Sequence, residues 1–214
     1  MLTSGLVAVA VGLLTVALTR PLLRWLREPA DAAGKLPYAE LGSVGFLAAC
    51  GFAAAAATLT AGLTLPGSIQ PMWWALSSAG VVLAAIDART TWLPLRLTRL
   101  AWGLMGMGAL TSLLLGGTWS LVLRAGVGAA AAGLLYLVVW GISRGGFGFG
   151  DVRFAPLIGA ATGAHSWSML WSALILGTVI GAGHGAVRLI RRQSGGFPYA
   201  PSMLAGAYLA CWWV

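Results

Sequence analysis

Two carboxylate side chains lie at the ends of apolar segments, where they could do acid–base chemistry. Asp87 closes the run Ala84-Ala85-Ile86, and Asp151 follows the glycine-rich segment 145–150. Two carboxyl groups held together can share one proton, so that one acts as a base on water and the other as an acid toward a carbonyl oxygen. The chain contains only five acidic residues, and the remaining three are Glu28, Asp31 and Glu40.

Ordinary structural roles for the two acids remain open at this point. Asp87 could be an interfacial residue paired with Arg89, and Asp151 could simply cap the helix that it opens. Two other classes of function also fit a pair of membrane acids. One is a transporter or channel component that uses them as a proton or cation relay, and the other is a non-catalytic subunit of a larger membrane assembly.

Composition indicates that the elements carrying these acids cross a membrane. The chain of 214 residues is 59% hydrophobic and 8% charged, and its mean hydropathy is +0.87. Soluble domains carry about a quarter charged residues, so we expect a lipid bilayer as the surrounding medium. The net charge of +8 comes from basic residues scattered among apolar runs, which argues against nucleic acid as a partner. The two Cys and two His lack metal-ligand spacing, so no metal site is predicted.

The apolar runs predict an all-α, polytopic membrane protein with about eight transmembrane helices. We treat residues 1–214 as a single integral membrane domain. Its N-terminal part, 1–66, contains a short connector at 20–42, and 67–214 form the core that carries both acids. The predicted spans lie near residues 2–19, 43–65, 69–86, 100–117, 119–142, 152–165, 167–189 and 199–214.

The distribution of Lys and Arg predicts the orientation of these spans. With eight spans, every Lys and Arg except Arg124 falls in or beside an odd-numbered connector. The positive-inside rule then makes those connectors cytoplasmic and places both termini outside. All five acidic residues fall on the cytoplasmic side.

The sixth span is too short to cross the bilayer from surface to surface. Residues 152–164 give about 20 Å of helix, against a hydrocarbon core of about 30 Å. We therefore expect Asp151 to be drawn below the membrane surface, where an ionisable residue is a functional candidate. Gly148 and Gly150 would let the backbone approach an extended substrate closely.

Four motifs in order resemble one family. Gly148-Phe149-Gly150-Asp151 resembles the GxGD motif of intramembrane aspartyl proteases, and its surroundings resemble the prepilin peptidase (type IV leader peptidase) branch. The other matching motifs are Asp87 followed by Leu93-Pro94-Leu95-Arg96-Leu97-Thr98, Asp151-Val152-Arg153, and the closing Phe197-Pro198-Tyr199-Ala200-Pro201. Leu36-Pro37-Tyr38-Ala39-Glu40-Leu41 resembles the end of the branch's N-terminal cytoplasmic region.

The resemblance implies an aspartic endopeptidase with Asp87 and Asp151 as its catalytic residues. The substrate would be a prepilin or pseudopilin of type IV pili or type II secretion, cut at the cytoplasmic face between its basic leader and its hydrophobic helix. No cofactor or metal is implied. The residues expected to bind substrate or shape the loops are Gly148, Gly150, Pro94, Arg153, Pro198 and Pro201.

The first connector departs from the bifunctional members of the family. Those members carry paired CxxC motifs there and also methylate the new N-terminus, whereas the connector at 20–42 contains no Cys. The zinc-stabilised subdomain is therefore absent from this connector, and N-methyltransferase activity becomes doubtful.

Helix dipoles give a first hypothesis for the shared proton. Asp87 lies at the C-terminal end of its helix, where partial negative charge disfavours a carboxylate. Asp151 lies at a helix N-terminus, which favours one. The sequence therefore predicts that Asp87 holds the proton in the resting protein.

Epitope tags test the predicted orientation. Tags at the N-terminus and at Pro66 should be accessible from outside the cell. Tags in the connectors at 20–35 and 89–99 should be protected, because the cations there remain inside. A protected N-terminal tag would contradict this topology and the placement of both acids.

Overall fold

A computed structural model describes residues 2–28, 36–144, 147–192 and 196–213. Every regular element in these ranges is helical. One 3₁₀ turn, Tyr38–Leu41, precedes the second long helix. Parts of the connector predicted at 20–42, including Asp31 and Lys35, lie outside the described residues, as do Gly145 and Gly146. The helices are α1 (Leu2–Trp25), α2 (Val44–Thr64), α3 (Gly67–Thr90), α4 (Leu95–Leu114), α5 (Trp119–Ile142), α6 (Phe149–His165), α7 (Trp167–Ile190) and α8 (Ala200–Ala210).

The all-helical, multi-span architecture is confirmed, and the exact number of spans stays a prediction. Within the part of the chain that the structure describes, five helices are long and apolar enough to cross a membrane: α1, α2, α3, α5 and α7. The other three, α4, α6 and α8, are shorter or less apolar, and α8 has 11 residues.

Several helix boundaries differ from the sequence prediction by a few residues, and two of these differences bear on the first connector and on the site. Helix α1 continues past residue 19 to Trp25 because its last turns are amphipathic, with Leu23 buried while Arg20 and Arg24 are exposed. Helix α6 begins at Phe149, so Asp151 is already its third residue. Its 17 residues span about 26 Å, still short of a full hydrocarbon core.

Sequential helices pack as hairpins whose crossings depend on glycine. In each of four hairpins, a Cβ added to one glycine would come within 3 Å of atoms on the partner helix. The distances are 2.8 Å from Gly12 to the Gly51 oxygen (α1–α2), 2.8 Å from Gly108 to the Pro71 oxygen (α3–α4), 2.7 Å from Gly159 to the Ala132 Cβ (α5–α6) and 2.6 Å from Gly206 to the Ala173 oxygen (α7–α8). Small residues allow such close approach of membrane helices.

Helices α3 and α6 form the centre of the bundle. The apolar window of α3 is 78% buried, whereas the other four candidate spans are 22–33% buried. Most side chains of α6 are also buried, from Val152 through Ala164. The two helices that carry Asp87 and Asp151 are therefore surrounded by the rest of the protein, while α1, α2, α5 and α7 expose most of their apolar windows.

A π-helical segment, Leu76–Gly80, interrupts α3. A π turn holds more residues than an α turn, so it changes the rotation of every residue that follows it. Asp87 lies two turns beyond this segment. Its direction is therefore set partly by the π segment, inside which the Ser77 hydroxyl pairs with the Tyr208 hydroxyl of α8 at 2.7 Å.

The α5–α6 crossing gives a test of this packing. A Gly159→Ala Cβ would meet the Gly128 carbonyl oxygen and the Ala132 Cβ, and neither backbone can move aside without shifting a helix. Overpacking of this kind costs about 1–3 kcal/mol, so thermal unfolding in detergent should occur at a lower temperature. The control is Gly126→Ala on α5, where a Cβ meets nothing within 4 Å. Equal unfolding temperatures for the two variants would contradict the crossing.

Candidate active site

Asp87 lies in the last turn of α3, with its side chain 3% exposed. The helix ends at Thr90. The next residue, Thr91, adopts a left-handed conformation with φ of 57° and donates its N–H to the Asp87 carbonyl oxygen at 2.7 Å. This turn leads the chain directly into the Pro94 segment. The carboxyl group of Asp87 therefore lies inside the protein at the C-terminal end of α3.

The N-terminus of α8 is directed at Asp87. The backbone N–H of Ala200, the first residue of α8, donates to Asp87 Oδ2 at 3.0 Å in a buried contact. Pro201 occupies the first turn of α8, and Pro198 is buried just before it. The structure therefore gives the two closing prolines a shared role, since they shape the segment that presents this N–H.

Asp151 lies in the first turn of α6 and is 5% exposed. Its backbone N–H donates to the Gly148 carbonyl oxygen at 3.1 Å. Its Oδ1 is buried without a hydrogen-bond partner among the described residues. A Cβ at Gly148 would lie 3.0 Å from Asp151 Oδ2, so the exposed Gly148 borders the carboxyl group on the outer side.

The structure brings the two acids into one buried site. The charges of Asp87 and Asp151 interact electrostatically. The segments around them also meet, because a Cβ at Gly150 would lie 3.0 Å from the Cβ of Leu93, which follows Asp87 in the turn between α3 and α4. Two like charges that interact in a buried site make it unfavourable for both groups to ionise. Such a pair is suited to sharing one proton.

Two further predicted site residues, Pro94 and Arg153, lie in different surroundings. Pro94 is buried at the start of α4, and its carbonyl oxygen accepts hydrogen bonds from the Thr98 N–H and hydroxyl. It therefore fixes the turn that carries Leu93 onto Gly150. Arg153 is instead directed along the surface of α6, with its guanidinium carbon 4.6 Å from the centre of the Phe149 ring.

Several groups that the sequence analysis did not single out complete the site. The Ala200 N–H is one, and Tyr136 of α5 and Tyr199 before α8 are two more, with hydroxyl oxygens 3.4 Å apart. A lone Tyr within the apolar run of α5 is a weak sequence signal, and a backbone N–H gives none. Within the described residues, no group of three or more His, Cys, Asp or Glu could hold a metal ion.

Comparison with known proteins relates this site to one family. Residues 74–186, just over half of the chain, match the model of the type IV leader peptidase family. The match includes Asp87, Gly148, Gly150 and Asp151. A second similarity is to the Prepilin leader peptidase/N-methyltransferase of Bacillus subtilis (strain 168), at 40% identity over 92 residues. That alignment covers 40% of this chain and only 35% of the relative. No solved structure matches significantly.

Polar contacts in the site oppose the proton position expected from helix dipoles. The Ala200 N–H stabilises a carboxylate at Asp87, and hydrogen bonds to charged groups contribute about 1.5–3 kcal/mol. A helix dipole contributes about 0.3–1 kcal/mol. At Asp87 the positive, N-terminal end of the α8 dipole offsets the negative, C-terminal end of the α3 dipole. Oδ1 of Asp151 is buried without a partner among the described groups, which disfavours charge there. The geometry favours Asp151 as the protonated partner.

Infrared difference spectra can decide which acid holds the proton. At neutral pH, Asp151→Asn should eliminate the protonated-carboxyl band, whereas Asp87→Asn should retain one. Glu40→Gln, at an exposed acid outside the site, should leave the spectrum unchanged. Loss of the band in Asp87→Asn alone would support the dipole-based assignment instead.

Proposed function

Because this chain belongs to the type IV leader peptidase family, we propose that it is an aspartic endopeptidase that removes the leader from prepilin-like proteins. Asp87 and Asp151 are its catalytic pair. The observation that carries the proposal is the meeting of these two buried, interacting carboxyl groups at the ends of the central helices, both within the family-matched segment. A bacterial inner membrane, with several membrane-crossing helices, is the proposed location.

The reaction follows from the two carboxyl environments. The ionised Asp87 accepts a proton from a water molecule, and the oxygen of that water molecule attacks the scissile carbonyl carbon. Asp151 donates its proton to the carbonyl oxygen, which gives a tetrahedral gem-diol. Asp87 then passes its proton to the amide nitrogen, Asp151 recovers a proton from one hydroxyl, and the carbon–nitrogen bond breaks. The products are a leader with a new carboxyl terminus and a protein with a free amine.

The glycine segment supplies access to the buried pair. Gly148 is exposed while Asp151 beside it is buried, so the chain there separates solvent from the carboxyl group. Without a side chain, Gly148 allows an extended peptide backbone to lie close to Asp151, while Gly150 allows Leu93 to pack against the same segment. The substrate backbone must be extended at the scissile bond. This requirement suits the junction between a basic leader and the hydrophobic helix of a prepilin-like substrate.

The positive charges support cleavage at the cytoplasmic face. Arg89 in the last turn of α3 and Arg144 after α5 lie on the same side as the two acids, and cations flank the connectors there. The positive-inside rule retains such connectors in the cytoplasm. In this scheme residues 67–214 form the peptidase core, and residues 1–66 are an N-terminal part attached to it.

Substitution of each acid tests the catalytic pair. Asp87→Asn and Asp151→Asn should each lower the cleavage rate of a co-expressed prepilin-like substrate at least about 100-fold, because neither carboxyl can serve as both acid and base. The mobility shift of the substrate on a gel measures leader removal, and immunoblotting measures accumulation of the variant. Glu40→Gln, an exposed acid in the Tyr38–Leu41 turn, is the matched control and should cleave normally. Near-normal turnover by either Asn variant would contradict the mechanism.

The cysteine-free connector predicts the chemistry of the product. Since residues 20–42 contain no Cys, cleavage should be insensitive to zinc chelation and should leave the new N-terminus unmethylated by this protein. Mass spectrometry of substrate processed by the purified protein with a methyl donor present measures this directly. A methylated N-terminus would show that methyl transfer does not need the cysteines.

A further inference from the structure

Four aromatic rings lie between the two segments that carry the acids. We refer to Tyr136, Phe147, Phe197 and Tyr199 as the aromatic clamp. Tyr136 stacks on Phe147 with ring centres 5.6 Å apart, and Phe147 meets Tyr199 edge-on at 5.3 Å. Tyr199 also lies 5.9 Å from both Tyr136 and Phe197. Aromatic pairs favour these stacked and edge-on arrangements.

Each end of the clamp is joined to one acid. Phe147 directly precedes Gly148, which borders the Asp151 carboxyl group. Tyr199 directly precedes Ala200, whose N–H donates to Asp87. Contact between Phe147 and Tyr199 therefore links the glycine segment of Asp151 to the closing segment that holds Asp87.

Tyr199 is fixed within the clamp by hydroxyl groups and by a glycine. Its hydroxyl donates to Thr178 Oγ1 at 3.3 Å, and the Thr178 hydroxyl donates to the Leu174 carbonyl oxygen at 2.8 Å. With that proton committed, Tyr136 is the donor in the Tyr136–Tyr199 contact. The Tyr199 ring also rests directly on Gly181 of α7, where any Cβ would overlap it.

We propose that the aromatic clamp is a set of positioning residues that holds the Asp87 and Asp151 carboxyl groups at their working separation. The two carboxyl groups repel each other when ionised and lie on different helices, so attraction elsewhere must hold their segments together. The clamp rings join those segments without being among the reacting groups. This inference deepens the proposed function and rests on it for its catalytic consequence.

Cross-linking tests the positioning role independently of catalysis. Cysteines replace both acids (Asp87→Cys and Asp151→Cys) in a Cys50→Ala, Cys211→Ala background, and bifunctional methanethiosulfonate reagents of increasing length report their separation. With the clamp intact, the shortest reagents should link the pair efficiently. Phe147→Leu or Tyr199→Leu should lower that yield at least threefold and shift the preference to longer reagents.

Phe46→Leu is the matched control. Phe46 is a buried aromatic residue of α2, 8% exposed, and it lies outside the clamp and outside the segments that carry the acids. The substitution removes a comparable packed ring, and the cross-linking yield should remain unchanged.

Kinetics on the protein with both acids intact test the catalytic consequence. Phe147→Leu and Tyr199→Leu should lower kcat at least tenfold with KM within about twofold, because the clamp acts on the carboxyl groups. Phe46→Leu should lower the unfolding temperature without a comparable loss of kcat.

The outcomes separate this inference from the proposed function. Unchanged cross-linking in Phe147→Leu, or an equal loss in Phe46→Leu, would overturn the clamp whatever the activity. If the cross-linking result stands and the wild-type protein cleaves no prepilin-like substrate, the proposed function fails while the positioning role holds. If Tyr199→Leu does not accumulate, Phe147→Leu decides, because that half-buried residue lies in the segment before α6.

Discussion

Two carboxyl groups that would repel each other when ionised are kept together in the buried centre of a membrane-protein bundle. Asp87 and Asp151 are each at most 5% exposed, and each belongs to a different central helix. A buried acid is costly when charged, and two are more so. The cost is reduced because the Ala200 N–H binds one carboxyl group and a proton can reside on the other. This constraint accounts for why backbone, loops and aromatic rings from several helices converge on one end of the bundle.

The surrounding architecture meets that constraint by covering most of the surface of the central helices with protein. Glycines such as Gly128 and Gly159 let the outer helices approach closely enough to cover α3 and α6. The π segment and the left-handed turn at Thr91 then direct Asp87 and the following chain toward α8 and α6. The contacts that pack the helices closely therefore also orient the Asp87 side chain and the chain that follows it, so stability and catalysis depend on shared contacts.

Sequence alone predicted the parts of this arrangement that depend on local pattern. The apolar runs indicated an all-helical membrane protein, and the motifs around Asp87 and Asp151 indicated the family. Contacts between distant positions were not predictable in this way: the Ala200 N–H lies 113 positions from Asp87, and Tyr136 lies 63 from Tyr199. The dipole-based expectation for the proton considered only the helix that carries each acid. It missed α8, whose N-terminus reaches Asp87 only after the chain has folded.

The central claim is that Asp87 and Asp151 act together on a tetrahedral intermediate, and the binding of a gem-diol analogue tests it most directly. A leader-spanning peptide with a hydrated difluoroketone at the scissile position mimics that intermediate, and transition-state analogues bind at least about 100-fold more tightly than substrates. The account predicts that the wild-type protein shows this preference over the matched substrate peptide and that Asp87→Asn and Asp151→Asn each lose it. An undiminished preference in either variant would contradict the account.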